Sequence, residues 1–238
     1  ISREAYEKSG YKLKYEAILN KFSGSDSEIY YNELVDVRSK NLLVVSANDV
    51  ENAERIVQEL KNNPFTAPIV NKIDSVQWEV KKQLQVENYE IDGLPMKSMI
   101  DLVLTDHKNK TVQVFDLKTV WSVEGFYEDY YLYRRAYIQA YIYYKACLSL
   151  TMNKKHEWYG YIVEPPKFIV CDSINYYSPL IYSLSTDDLN DAYIGFEYKG
   201  KKYPGVFEII DELKFAMSEN IWNISKKNYL NNGIVPIK

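Results

Sequence analysis

Two short apolar runs carry the residues most able to do chemistry. The first is Lys-Ser-Met-Ile-Asp-Leu-Val-Leu (97–104), with Asp101 in it. The second is Val-Gln-Val-Phe-Asp-Leu-Lys-Thr (112–119), with Asp116 and, two residues on, Lys118. Side chains two apart on a strand share a face, so Asp116 and Lys118 point the same way with the Leu117 carbonyl beside them. A turn centred near residue 108 folds the second run back on the first, which sets Asp116 at or close to Asp101. Two carboxylates and a carbonyl suit Mg²⁺ or Mn²⁺, hard cations that keep several waters. Such an ion polarises a phosphodiester oxygen and acidifies its bound water. A neighbouring lysine orients that water and stabilises developing negative charge.

The acid-x-lysine triplet says little alone, since it recurs at residues 59, 79, 106, 197 and 212. Only at 116 does it close an apolar strand. Solvated acids paired with surface lysines are the plain alternative, because such pairs are common and contribute little.

The surrounding pattern supplies elements to position these groups. Tyr6, Tyr11, Leu13, Tyr15, Ile18 and Leu19 line a short helix, broken at Gly24-Ser25-Asp26-Ser27. Residues 41–45, Asn-Leu-Leu-Val-Val, read as a short strand or a buried connection. Ser46 with Asp49 forms a capping box for a helix with Val50, Ala53, Ile56, Val57 and Leu60 at helical spacing, ended by Pro64 and Pro68. Asp92-Gly93 marks a hairpin pairing residues 83–91 with 95–105, residues 106–110 a second turn, and residues 111–115 a third strand. One long Tyr-rich helix is expected over 126–150, apolar on more than one face. Strands at 158–163 and 168–171 follow, separated by Pro165-Pro166, then helices at about 185–192 and 207–222. The expected fold is α/β: a mixed sheet, built from a three-strand meander and a further strand, flanked by helices. The 238 residues and 46% apolar content suit a single domain over 1–238, its core about 44–175 with an appended helical region about 185–238.

The net charge of -4 and pI near 5.4 exclude a globally basic nucleic-acid binder and require a local basic track. Lys81, Lys82, Lys97, Arg134, Arg135, Lys145, Lys201 and Lys202 supply scattered candidates, and the Arg pair precedes Gln139 on the expected helix. Cys147 and Cys171 are the only cysteines, which leaves no disulfide framework or zinc spacing and points to a reducing, cytoplasmic compartment. No apolar run is long enough to span a bilayer.

Three runs, Gly93-Leu-Pro-Met-Lys-Ser-Met-Ile-Asp101, Val114-Phe-Asp116-Leu-Lys118-Thr119 and Gln139-Ala-Tyr-Ile-Tyr143, resemble successive motifs of the PD-(D/E)XK nuclease superfamily. The nearest branch is the phage-type exonucleases similar to RecE (exonuclease VIII) and lambda exonuclease, with RecB-like nuclease domains beside it. The resemblance implies a restriction-endonuclease-like core and makes Asp101, Asp116 and Lys118 the catalytic set, with Ile100 where the motif has Pro. Gln139 and Tyr143 would stand on the helix behind the site. The implied metal ligands are Asp101, Asp116, the Leu117 carbonyl and an upstream acid, Glu79, unless Gln83 fills that place and leaves one carboxylate fewer. Lys97, Arg134 and Arg135 would meet DNA. The implied activity is Mg²⁺-dependent hydrolysis of DNA (Mn²⁺ substituting), by an exonuclease on double-stranded ends in phage-type recombination or repair. Alternatives are an endonuclease of the same superfamily, or an inactive protein that grips DNA ends or a partner. A homo-oligomeric ring and a strand-annealing partner also follow from the resemblance alone.

Overall fold

The computed structural model describes residue 7, residues 14–175 and residues 177–237. Packing divides the chain into two units, residues 1–53 and 54–238. In the first, α1 (Tyr15–Phe22) holds Tyr15, Ile18 and Leu19, while Tyr6, Tyr11 and Leu13 lie outside the described residues. The Gly24–Ser27 break does more than end a helix. Ser25 accepts from the Glu28 backbone N–H and starts α2 (Asp26–Ser39). Residues 41–45 form neither a strand nor a buried connection; all five are exposed. The Ser46 hydroxyl and the Asp49 carboxylate exchange the expected reciprocal bonds ahead of α3 (Ala47–Asn62). The short α4 (Ala67–Val70) follows.

The second unit holds a sheet in the order β1 (Trp78–Ile91), β2 (Leu94–Asp106), β3 (Thr111–Val120), β4 (Ile162–Asp172), β5 (Leu180–Ser183). Only β3 and β4 run parallel. Asp92 and Gly93 both take positive φ, 50° and 73°, as a tight two-residue hairpin demands. The meander followed by a crossover helix and a parallel strand is the expected α/β core. Apolar residues fill both faces. On one, Leu60 of α3 packs with Leu104, Phe115, Ile169 and Cys171. On the other, Ile100, Val103, Val112, Val114, Phe168 and Val170 lie under Tyr137, Ala140 and Cys147. Each fully buried side chain of this kind contributes about 1.5–3 kcal/mol.

Three expectations are corrected. The single helix over 126–150 is two pieces, a π-helical turn (Tyr127–Tyr133) and α5 (Ala136–Met152), separated by Arg134 and a left-handed Arg135 at φ 59°. Tyr131 and Leu132 are buried, and so are Ala136 and Tyr137. At 3.6 residues per turn, positions 131 and 136 of a continuous helix would lie about 140° apart. The break turns both faces inward. The two strands expected around Pro165-Pro166 are one strand, β4. Its ladder slips between Gln113 and Phe115, so the prolines occupy a bulge, the place a sheet tolerates them. Gln113 Nε2 donates to the Pro165 carbonyl at 2.8 Å. Trp158 precedes this strand and sits in a turn.

Beyond the core, a Ser185–Asp188 capping box starts α6 (Thr186–Ile194). A small hairpin, β6 (Phe196–Tyr198) and β7 (Lys201–Tyr203), leads to α7 (Val206–Glu219) and α8 (Lys226–Leu230).

Candidate active site

The β2–β3 ladder ends at the Leu102–Phe115 pair, and the next residues in register are Asp101 and Asp116. Here a side chain replaces the backbone rung: the Leu117 N–H donates to Asp101 Oδ2 at 3.0 Å. On a strand the N–H and C=O of one residue leave the same edge, so the Leu117 carbonyl faces Asp101's side. The opening has a cause in β1. Gln83, between the Lys82–Leu102 and Leu84–Ile100 pairs, takes a left-handed φ of 52°. Before it, Trp78 and Val80 pack into the α3 layer. After it, Leu84 and Val86 pack under α5, and on β2 Leu102 and Ile100 divide the same way. One residue outside the β region lets the even-numbered positions change face, and Asp101 sits opposite that switch.

Three carboxylates are buried among the described residues: Asp106, Asp116 and Asp172. Asp106 accepts from the backbone of Lys108 and Asn109 and from Gln77. Asp172 accepts from the backbone of Ile174 and Asn175. Asp116, 2% exposed, has no hydrogen-bond partner for either oxygen. Lys118 Nζ stands 2.5 Å from its Oδ2, an ion contact off the direction of a hydrogen bond. Burial is the largest influence on the Asp116 carboxyl; Lys118 opposes it, Asp101 adds to it, and the net result pushes the pKa up to about 6. A buried acid left without donors is costly unless a cation completes it.

Lys118 is held from α5. Its Nζ donates to Gln139 Oε1 at 2.8 Å, and Gln139 Nε2 donates to the Tyr143 hydroxyl at 2.9 Å. A lysine can only donate, so the Gln139 carbonyl must face it and the amide NH₂ must face Tyr143. Their spacing of four places both on one helical face. Lys118 Nζ thus donates to one acceptor, Gln139 Oε1, and meets Asp116 as an ion contact.

Glu79 is not part of this cluster, which corrects the expected ligand set. It pairs with Thr105, three rungs beyond the Lys82–Leu102 pair. It accepts from Trp158 Nε1 at 2.7 Å and meets Lys81 at 2.6 Å. Burial alone would raise the Glu79 carboxyl, but these contacts outweigh it and hold the group below the usual range. Gln83 occupies the place opposite Asp101. Lys97 is exposed on β2, and no contact links it to the acids. Arg134 lies over the Tyr130 ring at 4.6 Å, and Arg135 caps α5; both are exposed in the junction rather than on the helix.

A cavity of about 470 Å³ borders Asp101 and Leu117 on the α3 side, with Lys61, Lys82 and Gln83 in its lining. Sequence reading did not find it, because Lys61 reads as one more solvated residue of an amphipathic helix.

The donor set fits a hard cation: two carboxylates, one with orphaned buried oxygens, and a backbone carbonyl. No group of three His, Cys, Asp or Glu side chains able to hold a metal exists among the described residues. An ion here would therefore keep several waters, as Mg²⁺ does. No described helix is long and apolar enough to cross a membrane. No family model matches the chain, and no curated protein matches it. Among solved structures, the chain is similar to a Eubacterium rectale protein provisionally designated an exonuclease, with TM-score 0.49 and 13% identity, covering 99% of this chain and 80% of that one.

Proposed function

We propose that this chain is a Mg²⁺-dependent deoxyribonuclease that hydrolyses phosphodiester bonds, acting as an exonuclease on double-stranded DNA ends. The observation that carries the reading is Asp116: a buried carboxylate with no donors, beside a second carboxylate and an anchored lysine. Asp101, Asp116 and the Leu117 carbonyl would hold the ion. When bound, the ion polarises a phosphate oxygen and lowers the pKa of a bound water. Lys118, held by Gln139 and paired with Asp116, would offer an N–H to the phosphate oxygens as negative charge grows there. Gln139 and Tyr143 keep Lys118 in place, and the apolar surroundings of Asp116 strengthen these interactions by excluding water.

The test is incubation of the protein with linear and closed circular DNA, with Mg²⁺ and with chelator. Cleavage of linear DNA only, lost with chelator and in Asp116→Asn, is the expected result. Cutting of closed circles makes it an endonuclease, and equal behaviour of wild type and Asp116→Asn refutes the assignment. A second reading, an inactive protein that binds DNA ends, draws on Gln83 standing where a third acid would be. Metal-independent binding without cleavage in any divalent ion would establish it.

A further inference from the structure

We propose that the corner where the β2–β3 turn meets the loop between α5 and β4 is a duplex-gripping surface, separate from the acid site. It would hold the phosphate backbone about six base pairs from the bond being cut. This rests on the nuclease reading and adds a holding surface to it.

Two chain reversals build the corner. Residues 107–110, His-Lys-Asn-Lys, join β2 to β3, and residues 153–160, Asn-Lys-Lys-His-Glu-Trp-Tyr-Gly, lead from α5 to β4. The two touch: the Ile162 N–H donates to the Lys110 carbonyl at 2.9 Å, and the Tyr161 hydroxyl lies 3.1 Å from His107 Nδ1. Both are pinned. Asp106 accepts from the backbone of Lys108 and Asn109. The Gly160 N–H donates to the Thr151 carbonyl at 2.9 Å, and the buried Trp158 anchors the longer loop in the core. Charges carried on a fixed backbone lose little freedom when they bind.

Charge is the second observation. Lys108 and Lys110 on the turn and Lys154 and Lys155 on the loop are exposed, with no ion pair among the described residues. Lys40, Lys81, Lys199, Lys202 and Lys226, by contrast, each meet a carboxylate. Nearby acids do not offset the four. Asp106 is buried in its own turn, Glu79 is taken by Lys81 and Trp158, and Asp74 accepts from the Val80 N–H. Glu157 is the one acid within the two loops, and both histidines of the chain lie in them, in a protein of net charge -4. Separate lysine point charges, with no arginine fork among them, suit a phosphate backbone more than a base edge.

Position is the third. Lys110 stands six residues before Asp116, and β3 joins them. At about 3.4 Å per residue they are about 20 Å apart. One strand of B-DNA also advances about 3.4 Å per nucleotide, so a duplex cut at the acids meets the corner about six base pairs away. Helix α5 spans the same interval, from Gln139 beside Lys118 to Met152 at the start of the loop.

The test uses Asp116→Asn protein, to suppress cleavage, and a labelled blunt duplex of about two helical turns. Binding is followed by anisotropy across a salt series. Combining Lys108→Ala, Lys110→Ala, Lys154→Ala and Lys155→Ala should weaken it about tenfold or more, and lower the salt slope by about 0.9 for each lysine that meets a phosphate. A second duplex carries neutral methylphosphonate links in both strands, about five to eight base pairs from each end. It should bind the parent protein about tenfold more weakly, and the lysine variant as well as the plain duplex does. Circular dichroism checks that the variant keeps the fold. Parental affinity and slope in the lysine variant overturn the proposal, as does an equal effect of the neutral links on both proteins. Tighter binding of polyglutamate than of duplex gives the corner to an acidic protein and overturns it too. The two readings fail separately. Metal-dependent cleavage with binding indifferent to the lysines sinks only the gripping surface. Lysine-dependent binding without cleavage in any divalent ion sinks only the nuclease.

Discussion

Replacing the central acid should stabilise the metal-free protein. The Asp116 carboxyl has an ordinary value of 3.8 and is pushed up to about 6, first by burial. The folded state therefore binds this proton more tightly than the unfolded state does. Between pH 3.8 and about 6 the folded chain carries the extra proton, so stability falls as pH rises through that window. Above about 6 the penalty is complete. A two-unit shift corresponds to about 3 kcal/mol, nearly undiscounted because the side chain is 3% exposed. Asp116→Asn removes this cost but takes the counter-ion from Lys118, which keeps Gln139. The net gain expected at pH 7.5 is about 1–3 kcal/mol, or roughly 2–10 °C in Tm for a chain of this size. It should shrink toward zero or reverse below pH 4, where aspartic acid is protonated in both states. Urea unfolding with chelator at a series of pH values measures it. A variant destabilised at pH 7.5, or a difference that does not change with pH, would refute the argument that burial of Asp116 outweighs its pairing with Lys118.

Other consequences follow from the same contacts. Lys118→Met should lower cleavage about 10²–10³-fold while the fold stays intact. Gln139→Ala should cost less, about tenfold, because it loosens Lys118 without removing it; single-turnover rates on end-labelled DNA compare the two. Glu79→Ala should leave cleavage unchanged but cost about 1–3 kcal/mol in urea unfolding, since it strips the partner from the buried Trp158 Nε1. In Gly205→Ala, the new Cβ would stand 2.2 Å from the Tyr193 carbonyl and 2.3 Å from the Gly195 nitrogen. A loss of about 3 kcal/mol in thermal unfolding is expected there.

Local chemistry made part of this legible from sequence. Asp92-Gly93 announces a hairpin because both positions need positive φ, and Ser185 with Asp188 announces a helix start. Counting around the 106–110 turn brings Asp101 level with Asp116, and the ladder keeps that register to its last pair. What escaped depends on tertiary context. The strand pattern of β1 gives no sign that Gln83 adopts a left-handed conformation and changes the face of the residues that follow, up to the second irregularity between Val86 and Tyr89. Sequence alone therefore leaves open whether Glu79 supplies the upstream acid or Gln83 fills that place and leaves one carboxylate fewer; only Gln83 reaches the level of Asp101. The break at Arg135 is invisible in a run without Gly or Pro, because it answers to the burial of Tyr131 and Tyr137 on different faces. The β6–β7 hairpin was missed since its Lys199-Gly200 turn lacks the Asn or Asp that usually marks such turns.

The account turns on whether Asp101 and Asp116 hold a divalent cation. Calorimetric titration of the wild-type chain with Mn²⁺ at pH 7.5 should give saturable binding. The affinity should weaken as pH drops below about 6 and Asp116 takes its proton, and binding should be lost in Asp101→Asn with Asp116→Asn. No binding by wild type at millimolar Mn²⁺, or an isotherm unchanged in the double variant, would contradict it.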